Sequence, residues 1–599
     1  MLQKRLLPNR NSFLFSVFTL ILVSILVFNL INLQIVRGSE LFFTSKNSFV
    51  QLKIERANRG IIYDRNGIKL VENVPKFKIY IQRNITNQEN LNKTLDNLSS
   101  LFQTDIKSIY EKELERIKPY PNINEVRIFS NLEYNPYIFQ IEANPQNFPL
   151  IEIEQFLQRK YLYPEITSHI LGYTGDITPE DYATGIYSYG DEIGKFGVEK
   201  GFDNILRGQN GLSRLDVYGS NNQKTFSNIR QKINGKDIYL SIDIEAQKKL
   251  YELIEKTKTN PQLKTTISFG IVAQDVSNGE ILAMASYPNF NSNKFVGGIS
   301  ESDYQVYLNN PGKPLSNKAT QYAQPPGSTF KVLTDLAALA TGTGNADTKF
   351  YTGGTFNYGG VTFVDYARRN YGTIDMVQAL CVSSNIYHMK LALQMNEKTG
   401  GKASEKIKNL IDEIGINQSS GIGIGTEAIS YFPTPEDKAK NGEPWYTGYL
   451  LNSSIGQGEV KLTPIASAKM TTAIATEGNI IPQTIILNGN KDKTFRNLGL
   501  NKNLYKPIDE GMQCATRVNN LALGVKTENY PKISIKTGSA ETGEKLNNEQ
   551  VVHGWEISYA PSDKPRIAMS IFMENATHGW KAGYISRDFY KFLEESGRL

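Results

Sequence analysis

Cysteine and histidine are scarce in this 599-residue chain, which has two of the first and four of the second. Cys381 and Cys514 lie far apart, and His169, His388, His553 and His578 show no ligand spacing. Neither a disulfide framework nor a zinc cluster is therefore written in the sequence. Charge of one sign is scarce too: Lys+Arg 66 against Asp+Glu 60 leaves +6 over the whole length. That excess is too small to point to nucleic acid. Low-complexity tracts and internal repeats are missing, and 40% hydrophobic with 21% charged residues excludes wholesale disorder. The length fits about three to five compact units rather than one small binding module. Any chemistry must come from hydroxyls, amines and carboxylates.

From Asn11 to Val36 no side chain is charged. This run of about 26 residues reaches about 39 Å as a helix, enough for the ~30 Å hydrocarbon layer. It exceeds the apolar core of a signal peptide, and Asn32-Leu33-Gln34-Ile35-Val36 forms no small-residue cleavage site, so an uncleaved anchor is expected. Lys4, Arg5 and Arg10 precede it, which keeps the short tail in the cytoplasm and places everything after Arg37 outside. No second span is read. ATP-driven chemistry is not expected in that compartment.

Residues 37–235 read as an elongated α+β module of short alternating runs, Asn- and Pro-rich turns and an amphipathic charged stretch from Leu91 to Ile117. Arg59 to Gly67 pairs a strand-like Ile61-Ile62 with an Asn66-Gly67 turn, a hairpin signal. Gly194, Gly197, Gly208 and Gly211, with Glu199, Leu206 and Arg207, suggest close backbone contacts rather than a phosphate loop. Near Asn234-Gly235-Lys236 the character changes. Strands are expected over Asp237–Ile242, Ser268–Gln274 and Glu280–Ala285, and an antiparallel pair over Val551–Tyr559 and Arg566–Met573. Residues 236–599 have the size of a catalytic domain with a sheet and a substantial helical part.

Three short motifs carry chemistry. Ser328-Thr329-Phe330-Lys331 follows Pro325-Pro326-Gly327 and precedes an almost wholly apolar run, so a buried helix should begin at Ser328. At i and i+3 the Lys331 amine approaches the hydroxyl, and burial disfavours its ammonium form, which makes serine a nucleophile without histidine. Ser383-Ser384-Asn385 sits on a loop between two helical stretches and offers a hydroxyl relay and an amide anchor. Lys536-Thr537-Gly538-Ser539 ends a strand-like Ile533-Ser534-Ile535; its edge presents backbone groups to a peptide, Gly538 leaves room, and Lys536 with Thr537 can hold a carboxylate. Each alone reads more readily as an ordinary cap or turn; chance agreement of all three in this order is improbable.

Together they resemble class B penicillin-binding proteins, membrane-anchored peptidoglycan D,D-transpeptidases, over essentially the whole chain. Arg59 to Gly67 is similar to the family's anchor-proximal signature. Gly172-Tyr173-Thr174-Gly175 and Gly194 to Gly211 resemble its pedestal signatures, and Ser454-Ile455-Gly456-Gln457-Gly458 with Thr463-Pro464 a transpeptidase segment. The resemblance implies a multidomain α+β chain: tail and transmembrane helix over 1–36, an elongated α/β pedestal of the dimerisation type over 37–235, and a penicillin-binding/β-lactamase-like transpeptidase domain over 236–599, with an antiparallel sheet and a helical subdomain. Ser328 would attack the bond between the terminal D-alanines of a stem peptide, with Lys331 as base, Ser383 as relay, Asn385 on the substrate amide, and Lys536 and Thr537 on its carboxylate. Gly538 and Ser539 would line the substrate, and the backbone N–H groups of Ser328 and Ser539 would form the oxyanion hole.

β-Lactams would acylate the same serine, and no cofactor is implied. Asp191 to Glu199, His553-Gly554-Trp555 and Met573 to Gly579 look more like the elongation type than the division type. Implied partners are the stem peptides of lipid-linked nascent glycan, the membrane, and a polytopic glycosyltransferase of the shape, elongation, division and sporulation family. Some elongation-type members hold zinc near the second motif, but Tyr366 to Gly372 lacks the expected histidine, so no metal is expected. A bifunctional relative would carry its own glycosyltransferase domain where the pedestal stands. A β-lactam hydrolase or sensor would need a positioned water, for which no motif is recognisable, and a non-catalytic scaffold would have lost Ser328 or Lys331.

Overall fold

The computed structural model describes residues 10–38, 49–83, 88–120, 123, 125–218, 223–259, 266–365, 368–518, 530–546, 549–576 and 578–599. Lys4, Arg5, Tyr366 and Thr577, named above, lie outside them. The chain divides into two compact units, residues up to Gly60 with Arg207–Lys236, and Ile61–Leu206 with Asp237–Leu599.

The first unit contains helix α1 (Arg10–Ile31), which continues through a wider turn to Val36. Phe13–Val36 has a mean hydropathy of 2.6, and none of its most apolar window is buried by protein, so the helix is long and apolar enough to cross a membrane. The same unit holds an antiparallel sheet in the order Phe49–Glu55, Gly211–Tyr218, Gln223–Arg230. A Cβ on Gly208, at φ +69°, would lie 2.3 Å from the Ile233 carbonyl oxygen, so glycine permits a backbone contact there, as its spacing suggests.

In the second unit, Lys69–Gln82 is central to a sheet, antiparallel to Glu125–Leu132 and Ile151–Tyr161. The Leu91–Ile117 stretch forms two helices, Gln88–Phe102 and Ile106–Ile117, rather than one run. Gln103 adopts φ 51° between them and Asp105 caps the second, accepting from Ser108 N. Their apolar faces, including Leu95, Leu98 and Tyr110, pack on Ile79, Ile81 and Val126 of the sheet. The Arg59–Gly67 hairpin signal is realised between Ile62–Tyr63 and Lys69–Gln82. Buried Asp64 accepts from Asn66 N, Ile68 N and Ile244 N, tying that turn to the start of helix α2 (Ile244–Lys258). The Asp237–Ile242 strand shortens to Ile238–Tyr239, parallel to Ile62–Tyr63.

The C-terminal part is built on an antiparallel sheet of β1 (Ser268–Asp275), β2 (Ile281–Tyr287), β3 (Ser534–Leu546), β4 (Glu549–Ala560) and β5 (Ile567–Glu574), in the order β2-β1-β5-β4-β3. One face is covered by α2 and the C-terminal helix Gly583–Glu595 through Leu250, Ile254, Ile585 and Phe589. The other meets a helical part whose core includes α3 (Lys331–Ala340), α4 (Met376–Val382), α5 (Asn385–Lys398), α6 (Pro464–Ala475) and α7 (Lys506–Val518). Both sheet faces being dry explains why the burial of β1, β2 and β5 is continuous rather than alternating.

One expectation is overturned here. Cys381 and Cys514, 133 residues apart, form a disulfide with Cα atoms 5.2 Å apart. Sequence separation does not limit spatial approach: α4 and α7 pack side by side, and the cysteines face each other across that contact.

Candidate active site

The Ser328 turn is shaped by its glycines. Gly327 takes φ +56° and donates its N–H to Gly456 O at 2.9 Å, and Gly327–Phe330 form a 3-10 turn before α3 begins at Lys331. The α-helix thus starts three residues later than the Ser328 cap predicts. With three residues per turn, Ser328 and Lys331 lie in line, so the shared face persists. Beyond Lys331, α3 buries Val332, Leu333, Leu336 and Leu339, which fixes the turn from behind.

Ser383 ends α4 in the left-handed conformation, φ 59° and ψ 41°, and Ser384 caps α5. A non-glycine residue there is held by its surroundings. Asp365, missed in the sequence, fixes the residues that follow: it accepts from Ser384 Oγ at 2.9 Å, Ile386 N at 3.1 Å and Asn385 N. Buried His388 was also missed. Its Nδ1 donates to Ser384 O at 2.6 Å, and its Nε2 lies 3.3 Å from Oδ2 of Asp335, one turn beyond Lys331 on α3.

Lys536, Thr537, Gly538 and Ser539 lie in the first half of β3, which runs on to Leu546 rather than ending there. β3 is the edge of the sheet, as a peptide-binding strand requires. A Cβ on Gly538 would lie 2.6 Å from Pro326 O and 3.2 Å from Ser328 N, and one on Gly327 would lie 3.2 Å from Ser539 N. Glycine at both positions is therefore what lets β3 lie on the Ser328 turn. Gln457 Nε2 donates to Ser539 O at 3.1 Å, Gly579 N donates to Ser539 Oγ at 3.0 Å, and Thr334 Oγ1 donates to Ser454 O at 2.7 Å.

The two lysine amines converge on Ser383. Lys331 Nζ lies 2.7 Å from Ser383 O, 2.8 Å from Asn385 Oδ1 and 3.4 Å from Ser383 Oγ. Lys536 Nζ lies 2.9 Å from Ser383 Oγ and 2.8 Å from Thr537 O. Among the described residues no hydrogen bond joins Ser328 Oγ to Lys331; the amine is held by the second motif. Burial first, and the neighbouring Lys536 second, push the Lys331 pKa well below the ordinary lysine range. Burial lowers Lys536 to about 7. Lys331 of the first motif, Ser383 and Asn385 of the second and Lys536 of the third thus meet around one gap, with the backbone of the Ser328 turn against Gly538.

A hydroxyl and an amine on one turn, a Ser-x-Asn corner and an edge-strand Lys-Thr-Gly around a single gap define the architecture of the serine penicillin-recognising enzymes. Residues 269–591 match the penicillin-binding protein transpeptidase domain and residues 54–240 the penicillin-binding protein dimerisation domain. The chain belongs to the penicillin-binding protein transpeptidase family. It is similar to the peptidoglycan D,D-transpeptidase MrdA of Haemophilus influenzae, 29% identical over 94% of this chain and 87% of that protein. The Escherichia coli MrdA is 26% identical over 95% and 91%. The fold is shared with PBP2 of Helicobacter pylori, solved in complex with MreC, at a TM-score of 0.81 and 24% identity, covering 92% of this chain and all of that one.

Proposed function

We infer that the chain is a peptidoglycan D,D-transpeptidase of the elongation type, with an anchor to residue 36, a pedestal over 37–235 and a transpeptidase domain over 236–599. The observation that carries this reading is the meeting of both lysine amines at Ser383, beside the Ser328 turn on which β3 lies. The similarity to proteins named MrdA supports the elongation branch.

A neutral Lys331 amine has two N–H donors. The Ser383 carbonyl and Asn385 Oδ1 take both, which leaves its lone pair for a hydroxyl proton. Lys331 takes the proton from Ser328 as Oγ attacks the carbonyl between the two terminal D-alanines. The oxyanion is met by the Ser328 and Ser539 N–H groups, worth about 10²–10³ in rate for one such donor. The proton passes through Ser383 Oγ to the leaving nitrogen, the C–N bond breaks, and D-alanine departs from the Ser328 ester. An amine from a neighbouring stem then attacks the ester and restores the serine. Asn385 orients the stem amide. Ammonium Lys536, with Thr537, holds the terminal carboxylate, while Gly538 and Ser539 pair with the peptide backbone.

β-Lactams would trap the same ester. The anchor's basic flank would keep the N-terminus cytoplasmic and the bulk outside the plasma or inner membrane. The span and pedestal would contact a polytopic glycosyltransferase that supplies nascent glycan. Fluorescent penicillin tests the site: wild type should label covalently, keep the label for many minutes after a chase, and lose labelling in Ser328→Ala. Rapid release would instead identify a hydrolase, and no labelling of folded wild type a scaffold. D-Alanine release and cross-linked product from stem-bearing glycan then test the transfer itself.

A further inference from the structure

Helix α7 touches both walls of the gap described above. At one end of its contacts, Cys514 is bonded to Cys381, two residues before Ser383. At the other, Asp509 Oδ1 accepts from Ser534 Oγ at 2.6 Å and Tyr559 OH at 2.7 Å, and Ser534 stands two residues before Lys536 on β3. Between these grips, a Cβ on Gly511 would lie 2.8 Å from Leu380 Cβ, so α7 and α4 meet at backbone distance. The second and third motifs are thus braced through one helix, covalently on the Ser383 side and by hydrogen bonds to a carboxylate on the Lys536 side. Across the gap they meet through the 2.9 Å contact of Lys536 Nζ with Ser383 Oγ.

We propose that the Cys381–Cys514 disulfide is a positioning element for acylation, and that thiol–disulfide exchange at this bond sets the acylation rate. The proposal rests on the reading of Ser328 as nucleophile. Cys381 is 5% exposed while Cys514 is half-buried, so attack is proposed at the more exposed residue, Cys514. A dithiol reductant supplies the electrons: its thiolate attacks Cys514 Sγ, the Cys381–Cys514 bond breaks with Cys381 leaving as thiolate, and the second thiol displaces Cys514. Two electrons pass to the protein, both cysteines take up protons, and the reductant closes to its own disulfide. Without the bond, the last turn of α4 keeps its packing but loses the tether that holds Ser383 in the left-handed region. Ser383 Oγ then samples positions away from both amines.

The test uses the full chain in detergent micelles, oxidised and after treatment with dithiothreitol and anaerobic desalting. The rate constant for acylation by fluorescent penicillin is measured below the Tm of the reduced form, with the folded fraction followed by near-ultraviolet circular dichroism. Because the chain has only two cysteines, the reductant has one target. Reduction should slow acylation about 10- to 100-fold, the scale of a roughly 1 Å misplacement, with the folded fraction unchanged. Reoxidation should restore the rate. Cys381→Ser/Cys514→Ser should acylate slowly with or without reductant. An unchanged rate on reduction overturns the proposal, as does a loss that only tracks loss of folded protein, or two free thiols titrated in the untreated protein. Absence of acylation in folded, oxidised wild type refutes the underlying reading of Ser328 and takes the proposal with it.

Discussion

Gly538→Ala isolates the demand for close approach between β3 and the Ser328 turn. The added methyl would lie 2.6 Å from Pro326 O, 3.1 Å from Thr329 N and 3.2 Å from Ser328 N, all backbone atoms. The worst of these is about 0.8 Å short of ordinary van der Waals contact, and backbone cannot rotate aside as a side chain can. Either β3 moves outward or the turn moves back. Both separate the Ser539 and Ser328 N–H groups from a shared oxyanion and shift Lys536 from Ser383. A displacement on the 1 Å scale costs about 10²-fold in rate, and overpacking costs about 1–3 kcal/mol in stability. The second-order rate constant for penicillin acylation should therefore fall about 100-fold while Tm falls by only a few degrees. Gly448→Ala, where nothing lies within 4 Å, should acylate as wild type does. A Gly538→Ala enzyme with wild-type acylation would refute the argument that this contact sets the site.

Acylation should also trace a bell against pH. It fails on the acid side as Lys331 gains a proton, at a pH well below the ordinary lysine range, and declines on the alkaline side as Lys536 loses its proton at about 7. Lys536→Arg, which stays charged, should remove the alkaline decline even if its maximum is lower; a decline that persists would assign that limb to another group. Asp365→Ala removes the acceptor for Ser384 Oγ, Asn385 N and Ile386 N, and should cost about 1–3 kcal/mol by leaving these donors unpaired. Its acylation rate should drop further than its Tm alone explains, which a comparison at matched folded fraction would check. In the buried pair Arg159–Glu199, with Nε to Oε1 at 2.6 Å, Glu199→Gln should lower stability by up to about 3–5 kcal/mol, by denaturant titration, while folded protein acylates normally. Slow acylation there would tie this pair to the site.

The three motifs were legible because local punctuation marks them. Pro325-Pro326-Gly327 must end a loop, the apolar run after Lys331 must be buried, and alternating residues around Lys536 must form a strand. What escaped depends on tertiary contact. Asp335, His388 and Asp365 look like ordinary polar residues until α3, α5 and the 365 loop are brought together. The helix start shifted from Ser328 to Lys331 because Gly327 N is claimed by Gly456 O, a partner well over a hundred residues away that local capping rules do not see. The long amphipathic stretch split at Gln103 because its period does not reveal a single left-handed residue. The disulfide was hidden for the same reason: its two helices are adjacent only once the sheet orders the chain.

The two lysines pose one electrostatic problem with one good answer. Each is buried, each is driven toward neutrality by desolvation, and both touch Ser383, so two ammonium groups would repel across a poorly screened gap. Asp335 beneath them favours a positive charge on either amine, and Asp365 favours it on Lys331. Burial and repulsion outweigh both carboxylates for Lys331, whose pKa is pushed well below the ordinary lysine range. One cation in the gap is therefore favoured over two near neutral pH, and the proposed mechanism puts it on Lys536. Ser383 Oγ then lies between the two amines, accepting from Lys536 Nζ at 2.9 Å with Lys331 Nζ 3.4 Å away. In the proposed mechanism a hydroxyl so placed would pass the proton that Lys331 takes up on toward the leaving amine without charge moving far. In that mechanism one N–H of Lys536, beyond those on Ser383 Oγ and Thr537 O, would remain for the carboxylate of the stem.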